Sequence, residues 1–455
     1  MKPLNKEILS LAIPSILANI TVPLVGMADI AVAGHLGGGN GAAALIGGIT
    51  IGTMLFDLLY WNFAFLRSGT GGLTAQAYGR LLAGSDGVDQ VHGILLRALK
   101  IALLSGVALI ALQWVVLWLA FLLVDCTPQV RELASEYFKI RIWAAPATLS
   151  LFAFKGWFIG LQDTVRPMIA DLIVNGLNIA LSFGLGFGLC GLPAMGFAGV
   201  AAGTLIAQWC GFTYAAFAAR HALGQLVDQD QQYTVDQVQA PSFFRMNRDL
   251  VLRSLGMIAV YIGFTVISAK FGDTMLAVSA ILMKLLLVFS YFTDGFAYAG
   301  EALTGKFIGA GDKLGVHAAV KGCFIWGWGL AGAFMLMYGL GGVPAFHLLT
   351  SDVTVVEAGR EFIPWLLLMP LIGVPAFIWD GVFTGATATS AMRDSTLLCA
   401  MGFFAVWFGG YYLTMALGKD APVGPMALHI LMAAYFVHLA IRSIYLTIYW
   451  WRVKK

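Results

Sequence analysis

Charged side chains are scarce in this chain, at 11% of 455 residues, where a soluble domain carries roughly 25%. That deficit excludes a water-facing globular surface. Some 59% of the residues are hydrophobic and the mean hydropathy is +0.83, and only a bilayer takes up apolar surface on this scale. Cysteine is sparse too. Cys126, Cys190, Cys210, Cys323 and Cys399 are scattered without a CxxC or Cys/His spacing, which argues against a zinc site and a disulfide framework, so no metal ligands are expected. Cys126 and Cys190 fall on one side of the membrane in the topology drawn below, and no bridge between them is expected. Metalloprotease, serine-hydrolase and P-loop signatures (HExxH, GxSxG, Walker A) are all missing. With no sizeable extramembrane domain either, an enzyme is disfavoured and a self-contained ATP-driven pump is excluded. The net charge of +3 is spread along the chain, so no nucleic-acid partner is expected. The first apolar stretch is too long and uninterrupted for a signal peptide and reads as a first span.

What is abundant fits a membrane interior. The 54 glycines let helices approach closely, and the 13 Trp and 14 Tyr suit interfacial belts. At about 20–25 residues per span, twelve helices are expected, at 8–33, 42–66, 94–124, 133–160, 168–189, 195–219, 250–269, 275–305, 318–340, 362–384, 397–417 and 426–449. The fold class is therefore an all-α membrane protein. With both termini cytoplasmic, about 17 basic residues fall inside and about six outside, Arg141 among the latter and Arg253 among the former, which sets the orientation. The longest polar stretch, rich in Asp and Gln at 228–232, lies near the midpoint. It divides the chain into a lobe at 1–220, a cytoplasmic linker at 221–248 and a lobe at 249–455.

The halves also match one another. Gly34-His35-Leu36-Gly37 follows the first segment and Ala269-Lys270-Phe271-Gly272 the seventh. Thr74-Ala75-Gln76-Ala77-Tyr78-Gly79 ends the second and Thr304-Gly305-Lys306-Phe307-Ile308-Gly309 the eighth. Gly156-Trp157-Phe158-Ile159-Gly160 lies in the fourth and Gly381-Val382-Phe383-Thr384-Gly385 in the tenth. The offsets are all near 230 residues and in order, which indicates duplication, with an even number of spans per half giving parallel repeats.

On these segments, and on MADIAVAGHLG, FLRSGTGGLTAQAYG, VNGLNIALSFGLGFG, FTDGFAYAGEALTGKFIGAG and WDGVFTGATATSAMRD, the chain resembles the multidrug and toxic compound extrusion (MATE) family, in its DinF-like branch. The resemblance implies two six-helix lobes around a central cavity, alternating access, and export of small organic molecules, often cationic, driven by an inward flow of H⁺ or Na⁺. It also implies a monomer in a bacterial inner membrane, with no cofactor beyond the coupling ion. One departure bears on that ion. Archaeal relatives carry an Asp four residues after the Asn that here matches Asn178, and this chain has Ser182. The seventh segment also lacks the acid that the NorM-like branch uses in its C-terminal lobe. Both departures argue against a Na⁺ site.

A charge buried at the bilayer centre costs roughly 2.5–3.5 kcal/mol or more, so each such residue needs a partner or a task. Six acids (Asp29, Asp57, Asp171, Asp294, Glu301, Asp380) and four bases (Arg67, Lys155, Lys284, Arg442) lie in the expected spans. Asp29, in apolar company with Pro23 six residues earlier as a place to bend, is the leading proton-carrying candidate. The bland alternative is a permanent pair with Arg67 or Lys155. Asp171, Asn175, Asn178 and Ser182 share one helical stripe. Asn175 and Asn178, which match the family's N-lobe site, are read as partners of Asp29, while interhelical glue is the competing reading. Asp171 is expected as a solvated helix-end acid. Arg67, Lys155, Lys284, Asp294, Glu301 and Asp380 form either a second ion or substrate site or a neutralising charge network. Trp61, Tyr291, Tyr298 and Met369 are candidates for an adaptable substrate wall, with ordinary packing as the default. Asp57 and Arg442 have no assigned role. A lipid-linked oligosaccharide flippase of the same superfamily is the rival function, disfavoured by six acids against four bases where pyrophosphate calls for a cationic cavity.

Overall fold

The computed structural model describes residues 2–36, 42–84, 88–124, 126–226, 240–350, 352–416 and 424–453. Gly37, Gln231 and the middle of the expected linker lie outside the described residues. Sixteen α-helices are present among those described. They are α1 (Lys2–Leu36), α2 (Ala42–Trp61), α3 (Phe65–Leu82), α4 (Val88–Ala111), α5 (Gln113–Leu123), α6 (Pro128–Arg141), α7 (Ala145–Gly160), α8 (Val165–Phe187), α9 (Phe197–Leu226), α10 (Ala240–Ser268), α11 (Asp273–Gly309), α12 (Lys313–Leu349), α13 (Val353–Arg360), α14 (Ile363–Gly385), α15 (Thr389–Ala416) and α16 (Gly424–Val453). They supply 12 candidate spans, in the order expected. Large apolar side chains such as Leu340 at 85% and Leu348 at 86% exposure lie on them, as befits a surface that meets lipid rather than water.

The helices differ from the expected segments mainly at breaks and ends. The second span is α2 and α3, interrupted at 62–64, and the third is α4 alone, with α5 following the break at Leu112. In the fourth, a 3₁₀ turn at Ile142–Ala144 separates α6 from α7, where Pro146 sits in the first turn. Proline cannot donate there, which allows the helix to be re-aimed at little cost. Helix α9 runs through 220 to Leu226 and α10 begins at Ala240, so regular helix enters both ends of the stretch read as linker. Short polar side chains start several helices. Thr127 accepts from the Val130 N–H and Asp312 from the Gly315 N–H, satisfying donors that a helix start leaves open.

The chain divides into two compact units, one comprising Ile13–Phe243 and the other Met1–Ala12 with Phe244–Lys455. The first residues of α1 join the second unit through a Glu7–Lys306 ion pair and through Ile8, which lies against Gly322 of α12. The boundary near the N-terminus therefore falls within α1, whereas the sequence reading kept 1–220 together.

The sequence repeat has a structural counterpart in each unit. A Cβ on Gly156 would meet the Arg67 carbonyl, and one on Gly160 would lie 2.8 Å from the Ala75 nitrogen, so α7 presses on α3. In the other unit Gly381 faces the Ala297 carbonyl and Gly385 the Glu301 carbonyl, so α14 presses on α11. Both helices then end alike. The Asp163 N–H donates to the Phe158 carbonyl and the Ala388 N–H to the Phe383 carbonyl, with Gln162 and Thr387 at φ 67° and 52°. These are 6→1 closures, which need a left-handed residue after the last turn. Aromatics fill the remaining interior. The Trp157 indole donates to the Val91 carbonyl at 3.0 Å, and the Tyr338 hydroxyl to the Leu285 carbonyl at 2.6 Å.

Candidate functional site

In the Ile13–Phe243 unit, α8 presents the polar stripe that its spacing predicts, with Asn175 and Ser182 bonded to α1, Asn178 to α9 and Asp171 to α7. Asp29 on α1 is 4% exposed and Ser182 fully buried, and the Ser182 hydroxyl donates to Asp29 Oδ1 at 2.9 Å. The same hydroxyl lies 3.4 Å from Asn178 Oδ1, while the Asn178 amide donates to Thr204 Oγ1 on α9 at 2.7 Å. One turn toward the start of α8, the Asn175 amide donates to Thr21 Oγ1 at 2.6 Å, and Thr21 in turn donates to the Ala18 carbonyl. Three helices are thus tied by a chain of hydrogen bonds around one carboxylate.

The direct partner of Asp29 is Ser182, the position at which the chain departs from the family pattern; the asparagines expected there act through it or bond to α1 elsewhere. Because a hydroxyl both donates and accepts, Ser182 is able to serve either charge state of Asp29, donating to a carboxylate or accepting from a carboxylic acid while its own hydrogen turns to Asn178.

The basic residues offered as permanent partners of Asp29 are engaged differently. Lys155 pairs with Asp171 at 2.7 Å, which also removes Asp171 from the class of merely solvated helix-end acids. Arg67 donates to Ser68 Oγ at 2.7 Å. The base that acts electrostatically on Asp29 is Arg141 at the end of α6, which also acts on Asp57, Tyr60 and Tyr137. Its guanidinium donates to the Tyr137 hydroxyl at 2.9 Å and lies 4.7 Å from the centre of the Phe56 ring. Counting Arg141 with the outer loops missed it. Its place inside the fourth expected segment was the available signal.

In the other unit four charges gather on four helices. Asp380 of α14 accepts from Arg253 of α10 at 2.6 Å and from Arg442 Nε of α16 at 3.1 Å, with the Arg442 Nη2 also against it. Arg442 is 1% exposed, and Asp294 of α11 acts on it electrostatically. Of the six residues grouped in the sequence as a second site or a charge network, only Asp294 and Asp380 belong to this set, and Arg442 is seen as a partner of Asp380. Arg253, read as a cytoplasmic charge, lies within the span Arg245–Phe271. Arg141 and Arg253 were left out of the four bases counted within the spans, so the balance of six acids against four bases carries no argument against a flippase. Nearby, Arg393 donates to the buried Asp249 at 2.7 Å.

The remaining candidates separate by exposure. Glu301 is fully buried; Tyr291, Asp294 and Tyr298 are half-buried on the same face of α11, and Lys284 and Trp61 are exposed. Met369 is 1% exposed and packs near Gly373 and Phe289, which makes it core rather than cavity wall. An apolar groove beside Trp143, Trp209 and Phe217 holds none of these charges.

Comparison with known proteins bears on the family and the fold. The MatE family profile matches residues 14–183 and 250–407, so both repeats are covered. DNA damage-inducible protein F of Escherichia coli strain K12 is 33% identical over 91% of this chain and 88% of its own length. A probable multidrug resistance protein NorM of Thermotoga maritima is 23% identical over 89% of this chain and 83% of its own. Among solved structures, a MATE protein in complex with MaL6 superposes with a TM-score of 0.79 at 18% identity, covering 97% of this chain and 94% of the other. A MOP superfamily transporter from Pyrococcus furiosus reaches the same score at 18% identity, covering 99% and 95%. These two likenesses bear on the fold. With the profile spanning both repeats and a third of the residues shared with the Escherichia coli protein, this chain belongs to the MatE family of secondary-active, alternating-access efflux transporters, in its DinF-like branch.

Proposed function

We propose that export by this multi-pass membrane protein is coupled to H⁺ and that Asp29 carries the proton. The observation behind this reading is a buried carboxylate whose hydrogen-bonding neighbours are a hydroxyl and, beyond it, an amide and a second hydroxyl. Na⁺ takes several hard oxygens, preferably with more than one negative charge among them; Ser182 stands where a second carboxylate would supply it. A proton needs only one titrating group and a partner that tolerates both forms. Asn175 and Asn178 hold α8 against α1 and α9 and keep Ser182 aimed at Asp29.

Small organic cations are the favoured substrates, since a deprotonated Asp29 adds negative charge to the unit and protonation removes it. The charge quartet around Asp380 is read as holding α10, α11, α14 and α16 together. We further infer a bacterial inner-membrane location, cytoplasmic termini and a monomeric transporter.

Replacing Asp29 by Asn tests the reading. Asn keeps the shape of a protonated Asp but does not cycle between charge states, so conformational preference loses its dependence on protonation. Ethidium efflux from proteoliposomes under a pH gradient should fall to the background rate in Asp29→Asn, while the variant inserts normally. Near wild-type export by the variant, or efflux that follows a Na⁺ gradient at constant pH, would overturn it.

A further inference from the structure

His429 ties the first turns of α16 to the start of α14 through two partners. Its Nε2 lies 3.0 Å from Oε1 of Glu361, just ahead of α14, and its Nδ1 accepts from the Trp365 indole N–H at 3.0 Å. An indole nitrogen only donates, so Nδ1 carries no proton in this arrangement and the Nε2 proton points to the carboxylate. Phe362, fully buried, stacks on the same imidazole with ring centres 4.4 Å apart, and Trp365 packs on the buried Phe436 at 5.1 Å. Water reaches this end of the seam. The His429 and Glu361 side chains are 34% and 57% exposed. Helix α16 has 30 residues, so at about 45 Å it outruns the hydrocarbon core of about 30 Å. The other ionisable groups in the elements around this end are Glu357 and Arg360 of α13, Lys270 of the 3₁₀ turn at Ala269–Phe271, Asp273 of α11, Tyr411 of α15 and the buried His438 further along α16. Among the described residues only Glu361 forms an ion pair with His429. Lys419 and Asp420, ahead of α16, lie outside the described residues.

We propose that His429, Glu361 and Trp365 form a pH-sensitive clasp on the α14–α16 seam, closed on both partners when the imidazole is neutral and released from Trp365 when it is protonated. A proton on Nδ1 removes the acceptor of the Trp365 N–H, while the charged ring is drawn more strongly to the Glu361 carboxylate. The grip thus passes from a residue inside α14 to one ahead of its first turn. The rest of α14 is built to use that change. Toward its other end Asp380 accepts from Arg442 Nε at 3.1 Å, and the Trp379 indole donates to Thr447 Oγ1 at 2.8 Å, which keeps that half of α14 on α16. Pro370 and Pro375 lie between the two attachments, and each removes a backbone hydrogen bond and supplies a place to bend. Protonation of His429 frees the first turns of α14 to pivot at these prolines while the far half stays in place. In the proposed orientation the clasp lies on the outer side, where a proton-driven exporter meets the more acidic solution.

Fluorine NMR of the full-length protein labelled with 5-fluorotryptophan reads the clasp directly, the Trp365 line being the one lost in Trp365→Phe. Across roughly pH 5 to 8, where an imidazole ordinarily titrates, that line should shift in the wild type. It should stay fixed in His429→Gln, whose amide keeps a donor and an acceptor but does not titrate. In Glu361→Gln the carboxylate that favours the charged ring is gone, so the midpoint should fall by about 0.5 pH unit, the modest change expected of a pair open to water. The titration should persist in Asp29→Asn, which separates the clasp from the proton site. A Trp365 line that ignores pH, that moves as far in His429→Gln, or whose midpoint is unchanged in Glu361→Gln would overturn the clasp. So would loss of the titration in Asp29→Asn, which would make the shift an echo of Asp29. If His429→Gln does not fold, the midpoint in Glu361→Gln, a change at an exposed side chain, still decides the matter.

Discussion

At Ser182 a single oxygen decides how Asp29 is held. The Ser182 hydroxyl is bonded to the Asp29 carboxylate at 2.9 Å and is fully buried. A hydrogen bond to a charged group contributes about 1.5–3 kcal/mol, and one pH unit corresponds to about 1.4 kcal/mol. Ser182→Ala should therefore leave efflux intact at its best pH but move its pH profile upward by about one unit, because the ionised form of Asp29 loses its donor. An unchanged profile would mean that Ser182 does not serve the proton site. The presence of Asp29 and of the Asn175, Asn178 and Ser182 stripe was legible in the sequence, since helical spacing alone puts those α8 residues on one face. Which of them touches Asp29 was not, because that depends on the register between α8 and α1, residues 153 apart in the chain.

At several places the helices approach closely because glycine replaces a side chain. Gly381 admits the Ala297 carbonyl of α11, and that neighbour is backbone, which does not move aside as the tip of a side chain does. Gly381→Val should cost about 3 kcal/mol or more through overpacking, seen as a lower thermal transition in detergent and reduced insertion. At Gly93 of α4 a Cβ would meet nothing within 4 Å. Gly93→Ala should be neutral or raise stability by up to about 1 kcal/mol, the helix-propensity difference; equal losses in both variants would refute the close-approach account. The repeated Gly-x₃-Gly segments were visible as matching text at 156–160 and 381–385. Their shared job of seating α7 on α3 and α14 on α11 required the packed helices. The breaks at 62–64 and 142–144 were hidden, since hydropathy averages across a window and does not register a change in helix direction.

For the molecule as a whole, the proposed cytoplasmic placement of the termini rests on the distribution of basic residues, and it has a direct test. Cysteine introduced by Gln231→Cys should react with an impermeant thiol reagent in inside-out vesicles and not in intact cells, judged against the unsubstituted chain with its own five cysteines. Labelling in intact cells would reverse the assigned topology. The sequence by itself determined the bilayer environment, the twelve spans, the duplication and the family, because hydropathy, span length and repeat offset are properties of a chain that need no partner. Tertiary structure alone decided the charge pairing. Lys155 found Asp171, Asp380 found Arg253 and Arg442, and Arg141 came within electrostatic reach of Asp29. The physical reason is range. A buried charge is governed by groups within a few ångströms, and in a helical bundle those groups come from segments whose separation along the chain carries no information about their distance in space.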